Sequence, residues 1–241
     1  MSQDAQYQDE YGKAILEELK SASRFSEWMV EVISPFLGDR ILEIGAGEGN
    51  ISRDLPVRER LTLTDYDLGY VKGLTERYEG QDRIDVRQMD LTDDAHFGDL
   101  HGQYDTVICL NVLEHIEKDI EALKRMRTLL GPDGKVIVLV PQYQFLMSKM
   151  DRLLGHYRRY NRRLLAARFN SAGLALERSL SFNSMGTAGW LVNNTLLGRT
   201  KLGTNNLRIF EMLVPFMRAF EPHIPHPGLS IIGVGVNTLP N

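Results

Sequence analysis

Cysteine is all but missing: Cys109 is the only one in 241 residues. A single thiol excludes an internal disulfide framework and a cysteine-built zinc site, and it fits a reducing compartment. Long apolar runs are missing too. The stretches Ala188 to Leu197 and Leu229 to Val236 are short or broken by Asn193 and Asn194, against the ~20 apolar residues that a membrane-spanning helix needs. Met1 to Lys20 alternates acids, Gln, Tyr and Lys without an apolar centre, so neither a secretory signal nor a transit peptide is expected, and the expected address is cytoplasmic. Positive charge is not in excess. Lys plus Arg number 28 against 32 Asp plus Glu, for a net charge of -4 and a pI near 5.9, which argues against nucleic acid as the partner. There is no internal repeat and no low-complexity tract.

What is present is an ordinary globular composition, 43% hydrophobic and 25% charged, on a chain long enough to bury roughly 70% of its unfolded surface. From Arg40 onward short β-branched runs alternate with helical patterns. Arg40 to Ile44, Leu61 to Thr64, Ile84 to Arg87, Thr106 to Leu110 and Lys135 to Val140 read as strands. The last two are apolar on both faces, as expected of central strands covered by helices on each side. Between them Ile120, Leu123, Met126, Leu129 and Leu130 recur at helical spacing over Lys118 to Leu130, and Gly131-Pro132-Asp133-Gly134 reads as the turn that ends the helix. Two helices, Gln8 to Lys20 and Phe25 to Phe36, are expected before the first strand. After the fifth strand come a basic, aromatic segment from Met147 to Tyr160, a helix over Arg162 to Ala172 and a strand over Leu176 to Phe182. An insert from Ser184 to Gly228 has apolar helical stretches at Trp190 to Leu197 and Leu207 to Phe220, and LSIIGVGVN closes the chain as a strand. The expected architecture is α/β: a Rossmann-like sheet of about seven mostly parallel strands, helices on both faces, and a helical cap. One domain spans 1–241, with N-terminal helices 1–38, core 39–183, cap 184–228 and terminal strand 229–241.

The sharpest local signal is Glu43-Ile44-Gly45-Ala46-Gly47-Glu48-Gly49, where the first strand turns toward the next element. Glycines there let a ligand approach the backbone. A dinucleotide fingerprint wants G-x-G-x-x-G, but Asn50 stands where the last glycine belongs, and Glu43 would face a pyrophosphate of its own sign. A cationic ligand suits the turn better. Asp65, 20 residues beyond Gly45 at the end of the second strand, is placed to accept from both hydroxyls of a ribose.

With these residues the chain resembles the class I S-adenosylmethionine-dependent methyltransferases over about Phe25 to Leu180. The family's first motif is matched by Glu43, Gly45, Ala46, Gly47 and Gly49, and its ribose ligand by Asp65, followed by Tyr66. The resemblance further implies that Asp90 accepts from the adenine amine while the Leu91 amide meets a ring nitrogen. Asn111, opening Asn111-Val112-Leu113-Glu114-His115, lies near the methionine amino group by the same resemblance. The implied cofactor is S-adenosylmethionine, leaving as S-adenosylhomocysteine. The implied activity is methyl transfer to an oxygen or nitrogen atom of a small molecule, with carbon left open and the acceptor hydrophobic or acidic in part. Cys109, inside a buried strand, is a packing residue in this reading.

The acceptor side should be capped by the N-terminal helices, Met147 to Tyr160 and the insert. In Gly155-His156-Tyr157-Arg158-Arg159-Tyr160, a segment that recurs in similar bacterial methyltransferases, His156 and Tyr160 are the catalytic candidates. An imidazole is suited to proton removal near neutral pH, and an arginine to an acidic acceptor group. Packing of the cap is the competing role for both; Phe25 and Trp28, on the second helix, are candidates to close over the methionine end, with core packing as the favoured role. Some methyltransferases bind a divalent ion through Glu-x-x-Glu-His plus a further histidine. Here Asn111 replaces the first carboxylate, so no metal is expected, although Glu114, His115 and His156 could still assemble. His223 and His226 read as loop residues. Competing functions are RNA or protein methylation, on the basic run Arg158, Arg159, Arg162 and Arg163, a non-catalytic cofactor-binding module, and a nicotinamide dehydrogenase. The lack of an Asn/Asp-Pro-Pro-Tyr motif after the fourth strand argues against base amines.

Overall fold

The computed structural model describes residues 11–15, 17, 22–200, 204–224 and 228–238. Seven strands form one sheet: β1 (Arg40–Ile44), β2 (Arg60–Asp65), β3 (Ile84–Gln88), β4 (Tyr104–Leu110), β5 (Leu130–Pro141), β6 (Leu174–Phe182) and β7 (Ser230–Asn237), in the order β3-β2-β1-β4-β5-β7-β6. All neighbours up to β5 pair in parallel, and β7 pairs antiparallel with both β5 and β6. The expectation of about seven mostly parallel strands is met, with β7 alone running against the rest.

Alternation along the central strands divides the core in two. Leu42, Ile44, Val107, Cys109, Val136, Val138 and Val140 point to one face. There they meet α3 (Asp119–Thr128) through Ala122, Leu123 and Met126 and α5 (Arg162–Ser171) through Leu165 and Phe169. Ile41, Leu61, Leu63, Ile108, Ile137, Leu139, Ile232 and Val234 point to the other face, covered by α1 (Ser23–Ile33), by Leu74 of α2 (Leu68–Arg77), and by Val214 and Met217 of α7 (Thr204–Phe220). Burying both faces removes enough apolar area to hold the sheet at its centre. Cys109 is wholly buried, and burial pushes its thiol pKa up, in keeping with packing rather than reactivity.

Three details differ from the sequence reading. Gly131 to Gly134 does not leave the sheet but forms an irregular start to β5. Leu130 pairs with Tyr104, register resumes at Lys135 opposite Thr106, and Asp133 takes a left-handed φ of 58°. The insert opens with α6 (Ser184–Trp190), which runs into a π-helical turn over Leu191–Leu196. The short helix α4 (Lys149–Leu153) lies inside the basic, aromatic segment, where no element is expected. Of the first N-terminal helix, 11–15 and 17 are helical; Gln8 to Glu10 and Glu18 to Lys20 lie outside the described residues, as do Pro225 to Pro227 and with them His226.

Candidate active site

The topological switch point of the sheet lies between β1 and β4, where consecutive crossovers leave in opposite directions and open a crevice at the strands' carboxyl ends. The glycine turn leaves β1 there. Gly45, Gly47 and Gly49 all have left-handed φ, at 72°, 53° and 70°. The Gly45 and Ala46 amides both donate to the Thr64 carbonyl at 2.9 Å, which folds the turn over the end of β2. Asp65, 4% exposed, accepts from the Gly47 amide at 2.8 Å through Oδ2 and from the Asp67 amide at 3.0 Å through Oδ1. Burial raises the Asp65 pKa, opposed by these amide hydrogen bonds.

Glu43, at the end of β1, is 3% exposed and accepts from the Ser52 hydroxyl at 2.6 Å. Burial pushes its pKa up to about 7, against the Ser52 bond and with help from the Asp65 charge. Tyr66 is exposed beside the turn. Asp90 closes an Asx-turn, its Oδ1 accepting from the Thr92 amide and hydroxyl at 2.7 Å, and its own amide donates to His96 Nδ1 at 2.9 Å. Leu91 is buried beneath it. Asn111, exposed at the end of β4, has φ 56° and donates its amide to the Leu139 carbonyl at 2.8 Å. Thus the glycine turn, Asp65, Asp90 and Asn111 line the ends of β1, β2, β3 and β4 in succession.

Across the end of β4 lies a second polar group. Ser148 and Asp151 form a capping box at the start of α4, so Asp151 Oδ2 accepts from the Ser148 amide at 2.7 Å and hydroxyl at 2.6 Å. Its Oδ1 faces His156 Nδ1 at 3.0 Å and accepts from Arg159 Nε at 2.9 Å. Arg159 also stacks on Trp190 at 4.7 Å. Burial opposes ionisation of Asp151, but His156, Arg159 and Ser148 outweigh it and hold the pKa down to about 2. The His156 ring meets the His115 ring edge-on at 4.5 Å, and Glu114 completes a cluster in which one ligand-type atom from each residue lies within 4.8 Å of the others. Glu114 is 1% exposed, and among the described residues its Oε2 has no hydrogen-bond partner. Burial pushes the Glu114 pKa up to about 7, against the pull of His156. His115 keeps solvent contact as a residue, yet partial desolvation of its ring and the neighbouring His156 set its pKa below the ordinary histidine value.

A methyltransferase domain model matches residues 6–179. The chain belongs to the methyltransferase domain family. Its sheet and helices have the fold of solved class I methyltransferase structures. Ubiquinone biosynthesis O-methyltransferase of Aeromonas salmonicida (strain A449) is 27% identical over 113 residues, 46% of this chain and 47% of that protein. The match therefore spans about half the length of this curated relative. Among solved structures, a chain of the complex between the Haloferax volcanii Trm112 methyltransferase activator and a methyltransferase superposes with a TM-score of 0.64 at 16% identity, covering 95% of this chain and 97% of that one. Haemonchus contortus phosphoethanolamine N-methyltransferase 2, solved with S-adenosyl-L-methionine, gives 0.59 at 16% identity, over 87% of this chain and 52% of that one. At such identity these likenesses speak for the fold.

Other residues singled out in the methyltransferase sequence fall elsewhere. Tyr160 is wholly buried and its hydroxyl donates to Asp119 Oδ2 at 3.0 Å, so it anchors the segment in the core rather than facing the crevice. Phe25 and Trp28 pack with Phe182 and Phe210. Arg158 donates to the Ile116 and Glu117 carbonyls, both at 2.7 Å. Of the basic run only Arg162 and Arg163 are exposed, and His223 is exposed in a 3-10 turn. Asp151 was not anticipated, although the Ser-x-x-Asp spacing is a visible capping signature. The ion pair from Lys13 to Asp67 at 2.7 Å, which ties the N-terminal turn to the loop after Asp65, has no comparable signature.

Proposed function

We propose that this enzyme moves the methyl group of S-adenosylmethionine to an oxygen or nitrogen atom of a small molecule, with carbon as the less favoured acceptor atom, and that the acceptor is hydrophobic in part. The observation that carries the proposal is the Gly47 amide bound to the Asp65 carboxylate at the switch point, a cradle shaped for a ribose beside a glycine turn. In this reading Asp65 holds the ribose, Asp90 and Leu91 meet the adenine, and Gly45, Ala46 and Asn111 meet the methionine portion. Glu43 and Tyr66 support the turn from below and beside it. The acceptor lies over the ends of β4 and β5, under a cap that exposes Met185, Val192, Phe216 and Phe220. Its lone pair attacks the methyl carbon in line, the carbon–sulfur bond breaks, and the electron pair stays on sulfur in S-adenosylhomocysteine. His156, oriented by Asp151, takes the acceptor proton.

An O-methyltransferase among the relatives and an N-methyltransferase among the structural neighbours support both atoms. RNA as substrate is less well supported, because Arg158 and Arg159 are engaged within the fold. Among the described residues no helix is long and apolar enough to cross a membrane. Calorimetric titration with S-adenosylhomocysteine, with NAD as competitor, tests the cradle. A micromolar dissociation constant, about -8 kcal/mol, is expected for the wild type, with binding lost in Asp65→Ala and untouched by NAD. A folded wild-type protein that ignores S-adenosylhomocysteine would sink the assignment.

A further inference from the structure

The cap has a second, outward face, and we infer that this face seats the protein on the surface of an anionic phospholipid bilayer. The helix α7 is apolar on two sides. Leu207, Val214 and Met217 are buried, the last two in the core over the sheet. On another side Ile209, Met212, Leu213, Phe216 and Phe220 recur at three- and four-residue spacing, each at least 48% exposed. That spacing draws an apolar stripe about 100° wide along the helix, of the kind that an ordinary surface helix turns toward the core. The turn ahead of the helix adds Leu196 and Leu197, 70% and 60% exposed. Single apolar residues on a surface need no explanation, whereas a row of them marks a docking face.

Charge selects the partner. The insert from Ser184 to Gly228 holds Arg199, Lys201, Arg208 and Arg218 against Glu211 and Glu221, a positive balance in a chain of net charge -4. Both acids are turned inward. The Glu211 carboxylate accepts from the Arg24 amide at 3.0 Å and the Phe25 amide at 3.2 Å, at the start of α1. The Glu221 carboxylate accepts from the Ser184 amide and hydroxyl, both at 2.9 Å. Arg218 pairs with Glu31 of α1 at 2.6 Å, while Arg199 and Arg208 are exposed. The stripe therefore carries no acid and has cations beside it. An apolar face with a basic border fits anionic lipid, whose headgroups meet the arginines while the acyl boundary receives the stripe. A second copy of the chain would set the same positive border against itself.

The stripe is held outward. Pro215 has no amide to offer the Glu211 carbonyl, which accepts instead from Arg24 Nη1 at 3.4 Å, so side chain and backbone of Glu211 both clamp α7 to α1. Through Phe210 and Phe25 the helix packs toward Phe182, at the carboxyl end of β6. That is the end of the sheet where the acceptor is proposed to lie, so a lipid-soluble acceptor would come to the protein from the membrane. This consequence rests on the proposed function; binding to lipid does not.

The test floats full-length protein with vesicles of phosphatidylcholine alone or of phosphatidylcholine and phosphatidylglycerol in equal parts, at low and high salt. Binding to the anionic vesicles is expected, weakened by salt and at least ~tenfold stronger than to the neutral ones. Met212→Glu and Leu213→Glu, at exposed positions, should each lower it ~tenfold or more, and Arg208→Glu should narrow the gap between the two vesicles. Urea midpoints and S-adenosylhomocysteine affinity, measured on every variant, should match the wild type, which separates a failure here from a failure of the cofactor assignment. Folded wild-type protein that ignores both vesicles or binds them equally would overturn the inference, as would glutamate variants that float like the wild type. So would a wild-type dimer in light scattering that Met212→Glu breaks, because a second copy would then cover the stripe.

Discussion

At Gly45 the backbone has φ 72°, and a Cβ added there would lie 2.4 Å from Val112 Cγ2. Alanine would thus combine a strained conformation with a collision against the residue after Asn111. Gly45→Ala is expected to cost about 1–3 kcal/mol of folding stability, read from the urea midpoint, and to weaken S-adenosylhomocysteine binding by more than the stability loss alone explains. Wild-type affinity in a folded variant would contradict that placement of the turn. The residue scale is also where the sequence was most legible. Gly45, Gly47, Asp65 and Asp90 stand on successive strand ends because their motif spacing is a property of the backbone path. Glu43 was less so, since nothing in its spacing discloses Ser52 as its partner.

Among the elements, the segment from Ser148 to Tyr160 depends on a buried ion pair. Asp151 and Arg159 are 0% and 2% exposed at the side chain, and the pair has His156, Ser148 and Trp190 around it. Removing one member leaves the other charged and buried. Arg159→Ala should therefore cost about 3–5 kcal/mol, and Trp190, which loses its cation, should report the change in fluorescence. A variant as stable as the wild type would mean that water reaches Asp151. Such partners were hidden in the sequence because a run of mixed charge offers no period that tells an internal pair from a solvated one. The strands β4 and β5 were plain, being apolar on both faces, and α3 was plain from its spacing. Gly131 to Gly134 misled because its turn chemistry is real and Asp133 is left-handed, yet pairing of Leu130 with Tyr104 keeps it in the sheet.

For the molecule as a whole, buried carboxylates make stability depend on pH in opposite senses. Asp151, held down to about 2, contributes stability above its unfolded pKa that is lost as the pH falls toward 2. Glu43, pushed up to about 7, favours the folded state while protonated, and that advantage disappears as the pH rises from its unfolded value near 4.5 through 7. Glu43→Gln keeps the shape and removes the titration. Its urea stability relative to the wild type should rise by up to about 3 kcal/mol between pH 4.5 and 8, and parallel curves would refute the burial argument. The order of the sheet carries a different consequence. Among the described residues β6 pairs with β7 alone, which is inserted between it and β5. On the ribosome, residues 174–182 must therefore wait, unzipped, while the whole cap and then residues 230–237 are synthesised, so the β5 end of the growing sheet stays open to wrong pairings until β7 emerges.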